Sequence, residues 1–352
     1  MANFMTVCKK ELGDQLGSKR FLMLFALVIA LGTLSAYQGA NYIRSNSGAS
    51  FMSIFTGSTA GFSFVTLMVY FGPIIGLALG FDAINKERST GTLSVLLTQP
   101  LYRDSILNGK FLAGVTALSL MAGGTIGIMV GLAVPMLGFG PSAAALTSIA
   151  FLILFTILYL ALWLSLSLLF STLIKKTTTS ILAAISTWLF FVFIVAIMAS
   201  LVASAVVPVS TPTGFQVITG GGAPATGRFG AGGFGAGGNV TITLPNQNET
   251  SAYLQQTRHR DSVESSIESI SPAFLYSQVA TTVIGTTTPG GGAGGAFGFI
   301  TASAAGTLFR GLGTSQSIYS VWPQVTAIAA GLIACFVAAY MVFLRREIRA
   351  GG

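Results

Sequence analysis

Between Phe111 and Ile174 the chain runs for 64 residues without an Asp, Glu, Lys or Arg, and no other feature limits its fold as much. A helix needs about 20 apolar residues to cross the bilayer hydrocarbon, and one charge at mid-depth costs at least about 2.5 to 3.5 kcal/mol. A stretch this long holds two crossings, divided by the turn-like PMLGFGPSAA at Pro135–Ala144. Phe21–Ile43, Ser45–Phe81, Thr177–Gly227 and Gly311–Leu344 are also free of charge, and each holds one more. The spans are expected near 21–40, 61–81, 111–135, 147–173, 179–206 and 322–344. Composition agrees: 52% of the 352 residues are hydrophobic and only 8% are charged. The expected fold class is an all-α polytopic membrane protein of six transmembrane helices.

Lys and Arg set the orientation, because cytoplasmic flanks retain them. With the N-terminus inside, thirteen of the eighteen basic residues, including all seven Lys, fall on the cytoplasmic side. Both termini are therefore expected in the cytoplasm of a multi-pass protein of the cell (plasma) membrane. The positive charge forms an inner collar facing membrane lipid and gives no reason to invoke nucleic acid. Lys19 and Arg20 before Phe21–Ala36 have the form of a signal sequence, but a charged leader of twenty residues argues for a retained first span. Cys8 and Cys335 fall on the cytoplasmic side and in mid-membrane, so they are not expected to meet.

The expected organisation is a transmembrane domain over 1–207, an external domain over 208–320, and span 6 with a cytoplasmic tail over 321–352. Residues 3–18 place Phe4, Val7, Cys8, Leu12 and Leu16 on one stripe, which suits an interfacial helix lying flat before span 1. Gly72, Gly76 and Gly80 in span 2, and Gly123, Gly127 and Gly131 in span 3, recur every four residues. Such stripes let helices approach closely in lipid, whether within one subunit, between subunits or on a moving surface. The external segment contains the Gly-rich tracts GGGAPATGRFGAGGFGAGGNV and TTTPGGGAGGAFGF, so a mixed or irregular α+β domain is expected. Short strands are expected at 215–219 and 239–244, and one amphipathic helix ending at Pro272. Asn239 and Asn248 head N-glycosylation tripeptides within it.

Enzyme chemistry finds little to work with. Gly230–Gly235 matches a dinucleotide fingerprint in letters only, without a strand-to-helix transition around it. No GxxxxGK[ST] phosphate loop occurs anywhere in the chain, so it is not expected to hydrolyse ATP itself. The single histidine, His259, lies among Arg258, Arg260 and Asp261 with no Cys or second His nearby, which does not make a metal site. Nor can it serve a Ser/His/Asp or Cys/His set. No metal or cofactor is expected on this chain. The spans contain no ionisable residue, and ion-coupled transporters place such groups at membrane depth. Energy for transport is therefore expected from a partner, through a cytoplasmic surface.

The sizeable cytoplasmic connection is FDAINKERSTGTLSVLLTQPLYRDSILNGK, residues 81–110, with seven charged side chains. A short amphipathic helix over about 86–99 exposes Leu93, Leu96 and Leu97 on one face and ends at Pro100. Tethered to spans 2 and 3, it can transmit a push. The pattern Glu87-x-x-x-Gly91-Thr92-Leu93-x-x-Leu96-Leu97-x-x-Pro100-x-x-Arg103, continuing to Gly109-Lys110, resembles the hallmark of ABC-2-type permeases, the membrane subunits of one class of ABC exporters. KKELGDQLGSKRFLMLFAL resembles that family's interfacial helix and first span. The resemblance implies that the segment over 86–99 is a coupling helix docking in a cleft of a separate ABC ATPase subunit, which binds the ATP and Mg.

On that basis Glu87, Gly91, Thr92, Leu93, Leu96, Leu97, Pro100 and Arg103 are coupling residues, with Glu11 a secondary contact. It also implies a dimer with a second permease copy, in which spans 1, 2 and 5 rock around a path for an exported substrate. Phe62, Phe64, Tyr70 and Phe71 in span 2, with Trp188 and Phe191 in span 5, would suit an amphiphilic or lipid-like cargo. Ordinary packing explains these aromatics equally well. Some members of that family serve copper-site maturation, but residues 208–320 lack Cys and Met, which disfavours soft-metal handling. A membrane scaffold whose external domain binds a surface partner is the alternative from another class.

Overall fold

The computed structural model describes residues 4–46, 49–56, 63–89, 103–208, 216–219, 240–243, 247–285 and 321–345. Among the described residues six helices are long and apolar enough to cross a membrane: Lys19–Ser45, Phe64–Glu87, Ser105–Leu137, Ala143–Leu173, Thr177–Val206 and Trp322–Arg345. The gaps between charges located all six. Spans 1 to 3 run further than expected because their helices continue through flanking polar residues such as Arg44, Asn85 and Lys110.

In chain order the elements are α1 (Phe4–Leu16), α2 (Lys19–Ser45), α3 (Ser53–Thr56), α4 (Phe64–Gly80), α5 (Asn85–Ser89), α6 (Arg103–Leu137), α7 (Ala143–Leu173) and α8 (Thr177–Leu189). A π-helical turn, Phe190–Ile194, then leads into α9 (Val195–Val206). After it come β1 (Gln216–Thr219), β2 (Val240–Thr243), α10 (Gln247–Glu268), α11 (Pro272–Ile284) and α12 (Trp322–Arg345). Serine starts three of the long helices: the hydroxyls of Ser18, Ser63 and Ser142 accept from the backbone N–H groups of Phe21, Thr66 and Ala145 at 3.2, 3.0 and 3.2 Å. Each satisfies one of the donors that a helix N-terminus leaves without a partner.

The chain divides into two compact units. The first comprises residues 1–192, 271–287 and 314–352, and the second 193–270 and 288–313. In the first, α7 is the hub, packed by α4, α6, α11 and α12. Its Tyr159 and Trp163 are fully buried. Its buried hydroxyls are satisfied: Thr156 donates to Leu152 O at 2.7 Å, Ser165 to Leu162 O at 2.7 Å and Ser167 to Leu77 O of α4 at 2.8 Å. Between lipid-embedded helices there is little hydrophobic drive, so close packing and such bonds hold the bundle. The glycines of α4 supply the packing. A Cβ on Gly76 would lie 2.8 Å from Leu160 O and 2.9 Å from Trp163 Cβ.

One expectation needs correcting. Among the described residues the segment between spans 5 and 6 holds two helices rather than one, and the second, α11, packs in the first unit against α4, α7 and α12. The Tyr276 ring stacks on Tyr159 at a centroid distance of 4.4 Å and its hydroxyl meets Thr156 Oγ1 at 2.9 Å. Gln324 of α12 donates to Gln278 at 3.1 Å, and Ser271, just before α11, donates to the Phe191 carbonyl at 2.7 Å. A thirteen-residue apolar helix is too short to span, which leaves burial within the protein as its stable location. Tyr276→Phe keeps the stack and loses one buried hydrogen bond. It should cost about 0.5 to 1.5 kcal/mol, measured as a small drop in detergent melting temperature.

In the second unit, α10 packs along α9. β1 and β2 pair antiparallel, with Gln216 opposite Thr243 and Thr219 opposite Val240.

Candidate functional site

The helix that ends span 2 would normally leave its last carbonyls without partners. Here Leu77 O already accepts from the Phe81 N–H at 3.1 Å, and hydroxyls from two neighbouring helices add to the capping of this end. Ser167 of α7 bonds Leu77 O at 2.8 Å, and Ser180 of α8 donates to Phe81 O at 3.1 Å. The chain then turns through residues 81–84, and the backbone N–H groups of Ile84 and Asn85 both donate to Ser171 Oγ of α7, at 3.0 and 3.3 Å. Ile84, fully buried, joins Leu107 and Phe343 in a small core, with Phe336 and Tyr340 packed against it. Spans 2, 3 and 6 are thereby joined just where the polar segment begins.

Beneath that joint lies a buried ion triad. Lys110 Nζ is 2.7 Å from Glu87 Oε1 and 2.9 Å from Glu11 Oε1, and the lysine side chain is 5% exposed. One ammonium group thus holds α1, the end of span 2 and the start of span 3. The close approach of α1 to α6 requires Gly109, since a Cβ there would lie 2.9 Å from Val7 Cγ1. A second pair, Arg20 Nη1 to Asp82 Oδ2 at 2.6 Å, joins span 1 to the same segment. Its arginine is 62% exposed, and pairs of that kind contribute about 0 to 1 kcal/mol. Breaking a buried pair costs about 3 to 5 kcal/mol, so the triad dominates the electrostatics of this end of the bundle.

The structure therefore brings together two of the expected coupling residues, Glu11 and Glu87, through a lysine that the sequence pattern ran up to without assigning a role. Gly91, Thr92, Leu93, Leu96, Leu97 and Pro100 lie outside the described residues, and Arg103 is the first residue of α6. Of the aromatics expected along a path, Phe64 is fully buried and packs edge-on to Phe55 at 6.0 Å. Phe71 is exposed, and Tyr70 and Trp188 are half-buried. Phe191 packs against Trp163 at 6.4 Å, and Phe62 lies outside the described residues. Asn239 lies outside them too, and Asn248 is in the first turn of α10. The two cysteines are free. Among the described residues no cluster of His, Cys, Asp and Glu could hold a metal ion.

Sequence reasoning passed over Lys110, Ser171 and Ser180. Lys110 carried a usable signal, as the one charge at the mouth of the 64-residue apolar stretch. The serines carried none, because hydroxyls are common in spans and only packing shows which carbonyl they meet.

Over 145 residues the chain is 32% identical to the Probable ABC transporter permease protein NosY of Pseudomonas aeruginosa, covering 41% of this chain and 46% of that protein. Over 141 residues it is 35% identical to the protein of the same name from Stutzerimonas stutzeri, covering 40% and 44%. The chain thus aligns with less than half the length of these relatives. The model of the ABC-2 family transporter protein matches residues 5–348, from α1 to beyond the end of span 6. The chain belongs to the ABC-2 family of transporter proteins.

Proposed function

We propose that this chain is the transmembrane permease subunit of an ATP-driven exporter, paired with a second copy and with separate ABC ATPase subunits that bind ATP and Mg. The observation that carries the reading is the Lys110 triad. It locks α1, span 2 and span 3 into one joint at Glu87, the first residue of the sequence pattern that resembles a coupling helix. Displacement of residues 90–100 by a closing ATPase would pull on Glu87, and through Lys110 on α1 and α6 together. The shared Ser171 bonds would pass it to α7, the hub of the bundle.

In this reading both termini are cytoplasmic in the cell membrane, α1 lies at the inner interface, and residues 208–320 apart from α11 form the external domain. The Gly-rich tracts would then be outside, as would Asn239 and Asn248. An amphiphilic or lipid-like cargo fits the exposed aromatics Phe71 and Phe190 on spans 2 and 5.

The test uses the assembled complex. An ATPase chain should co-purify in fixed ratio, and Gly91→Trp should lower substrate-stimulated ATP hydrolysis at least tenfold with expression intact. Glu87→Ala should lower it as well, by loosening the joint. Wild-type coupling in both variants would refute the reading, and a stable external ligand without any ATPase would favour a scaffold.

A further inference from the structure

The last turns of α12 have two opposite faces. Phe336, Tyr340 and Phe343 recur every three to four residues and close on the small core of Ile84 and Leu107. Ala338, Met341, Val342 and Arg345 recur in the same way half a turn round the helix. With Leu173, the last residue of α7, they line a groove of about 470 Å³. Sites for small ligands hold about 300 to 1,000 Å³. Leu173 and Met341 are exposed on helices that are long and apolar enough to cross a membrane, so the groove opens toward the bilayer.

Its chemistry changes at one end. Ala338, Met341, Val342 and Leu173 offer apolar walls, and Arg345 adds a guanidinium to the lining. Lys175 and Lys176 follow Leu173 by two and three residues, which keeps them within about 7 and 11 Å of it along the chain. All three cations are exposed. Arg20 and Lys110 are engaged in ion pairs, but Arg345, Lys175 and Lys176 form none among the described residues. Nor do α7, α8 and α12 contain an acidic residue to balance them.

Helix dipoles account for part of this charge. A cation in the last turn of a helix is favoured, which suits Arg345. Lys175 and Lys176 lie between the end of α7 and the start of α8, where opposite dipole ends meet and largely cancel. A collar of positive charge holds anionic lipid loosely wherever it faces the inner leaflet. Here the charge stands beside a slot that can seat a hydrocarbon chain, and the pair of features is complementary to one molecule with both parts.

We propose that this groove binds one anionic phospholipid of the inner leaflet, with an acyl chain along Ala338, Met341 and Val342 and the phosphate held by Arg345, Lys175 and Lys176. The side of the membrane rests on the transport reading. The site itself does not.

The test measures binding of phosphatidylglycerol, and of phosphatidylcholine with the same acyl chains, to the full-length protein in detergent by native mass spectrometry, with melting temperature alongside and ATPase recruitment read separately. Three basic residues acting on one headgroup should favour phosphatidylglycerol at least tenfold, and it should raise the melting temperature more than phosphatidylcholine does. Lys175→Gln, Lys176→Gln and Arg345→Gln together should bind the two lipids alike. Ala338→Phe fills the groove with the charges intact and should weaken both. Lys9→Gln with Lys10→Gln removes two exposed cations of α1 and should keep the wild-type preference. Glycerol 3-phosphate, which has the charge without the chain, should not displace bound lipid.

A wild-type preference in the charge variant, an equal loss in the α1 variant, or displacement by glycerol 3-phosphate overturns the site. Unchanged lipid binding in Ala338→Phe overturns it too, and if that variant also turns a dimer into a monomer, the face belongs to a second copy. Groove-dependent binding in a protein that recruits no ATPase leaves the site standing and removes the transport reading.

Discussion

Lys110→Met should lower the stability of the detergent-solubilised protein by about 3 to 5 kcal/mol, the usual cost of removing one partner from a buried ion pair. Methionine fills nearly the same volume, so little of the loss comes from packing. What remains is two carboxylates, Glu11 and Glu87, with side chains 15% and 17% exposed, drawn to one point and left without their cation. They must take up protons or move apart, and moving apart frees α1 from span 2. Substrate-stimulated ATP hydrolysis in the complex should fall with it, by more than the loss of folded protein accounts for.

A second variant separates charge from shape. Lys110→Met combined with Glu11→Gln and Glu87→Gln leaves no unpaired ion, and replacing a whole buried cluster by neutral groups of similar size is often close to neutral for stability. The triple variant should therefore melt near wild type while coupling stays low, because the joint that carries force is gone. If Lys110→Met melts like wild type, or the triple variant melts no better than the single one, the triad does not hold this end of the bundle.

Much of the fold was legible because the bilayer penalises charge so steeply. Gaps between charged residues placed six helices, and their errors fell at the ends, where Arg44, Asn85 and Lys110 lie within helices that a charge-free criterion cuts short. The same criterion concealed α11. PAFLYSQVATTVI is apolar and begins with the Pro favoured at a first helical turn, but thirteen residues cannot span, and a search for spans discards it.

The site was half legible. The pattern around Glu87 drew attention to this stretch of chain, and the resemblance to the family's interfacial helix brought in Glu11. That one lysine gathers both carboxylates is a tertiary fact with no local period to betray it. The pairing of Arg20 with Asp82, 62 positions apart, is another.

Two glycine stripes with the same spacing lead to the other large expected effect. Gly72, Gly76 and Gly80 face α7 so closely that a Cβ on Gly76 would meet backbone, Leu160 O at 2.8 Å and Leu164 N at 3.1 Å, as well as Trp163 Cβ at 2.9 Å. Backbone atoms cannot rotate aside, so even Gly76→Ala must push α4 from α7, at about the 1 to 3 kcal/mol usual for overpacking. Gly76→Leu should exceed that and abolish recovery of monodisperse protein, since α4 and α7 form the centre of the first unit.

Gly123, Gly127 and Gly131 of α6 have nothing within 4 Å of an added Cβ. Gly127→Leu should melt like wild type, and removing a helical glycine gains up to about 1 kcal/mol of propensity. Spacing alone gave the two stripes one meaning, and the packing divides them. Size-exclusion profiles and melting curves of the two Leu variants measure that division, and a Gly76→Leu protein that elutes and melts like wild type would show that α4 and α7 are not in contact along this stripe.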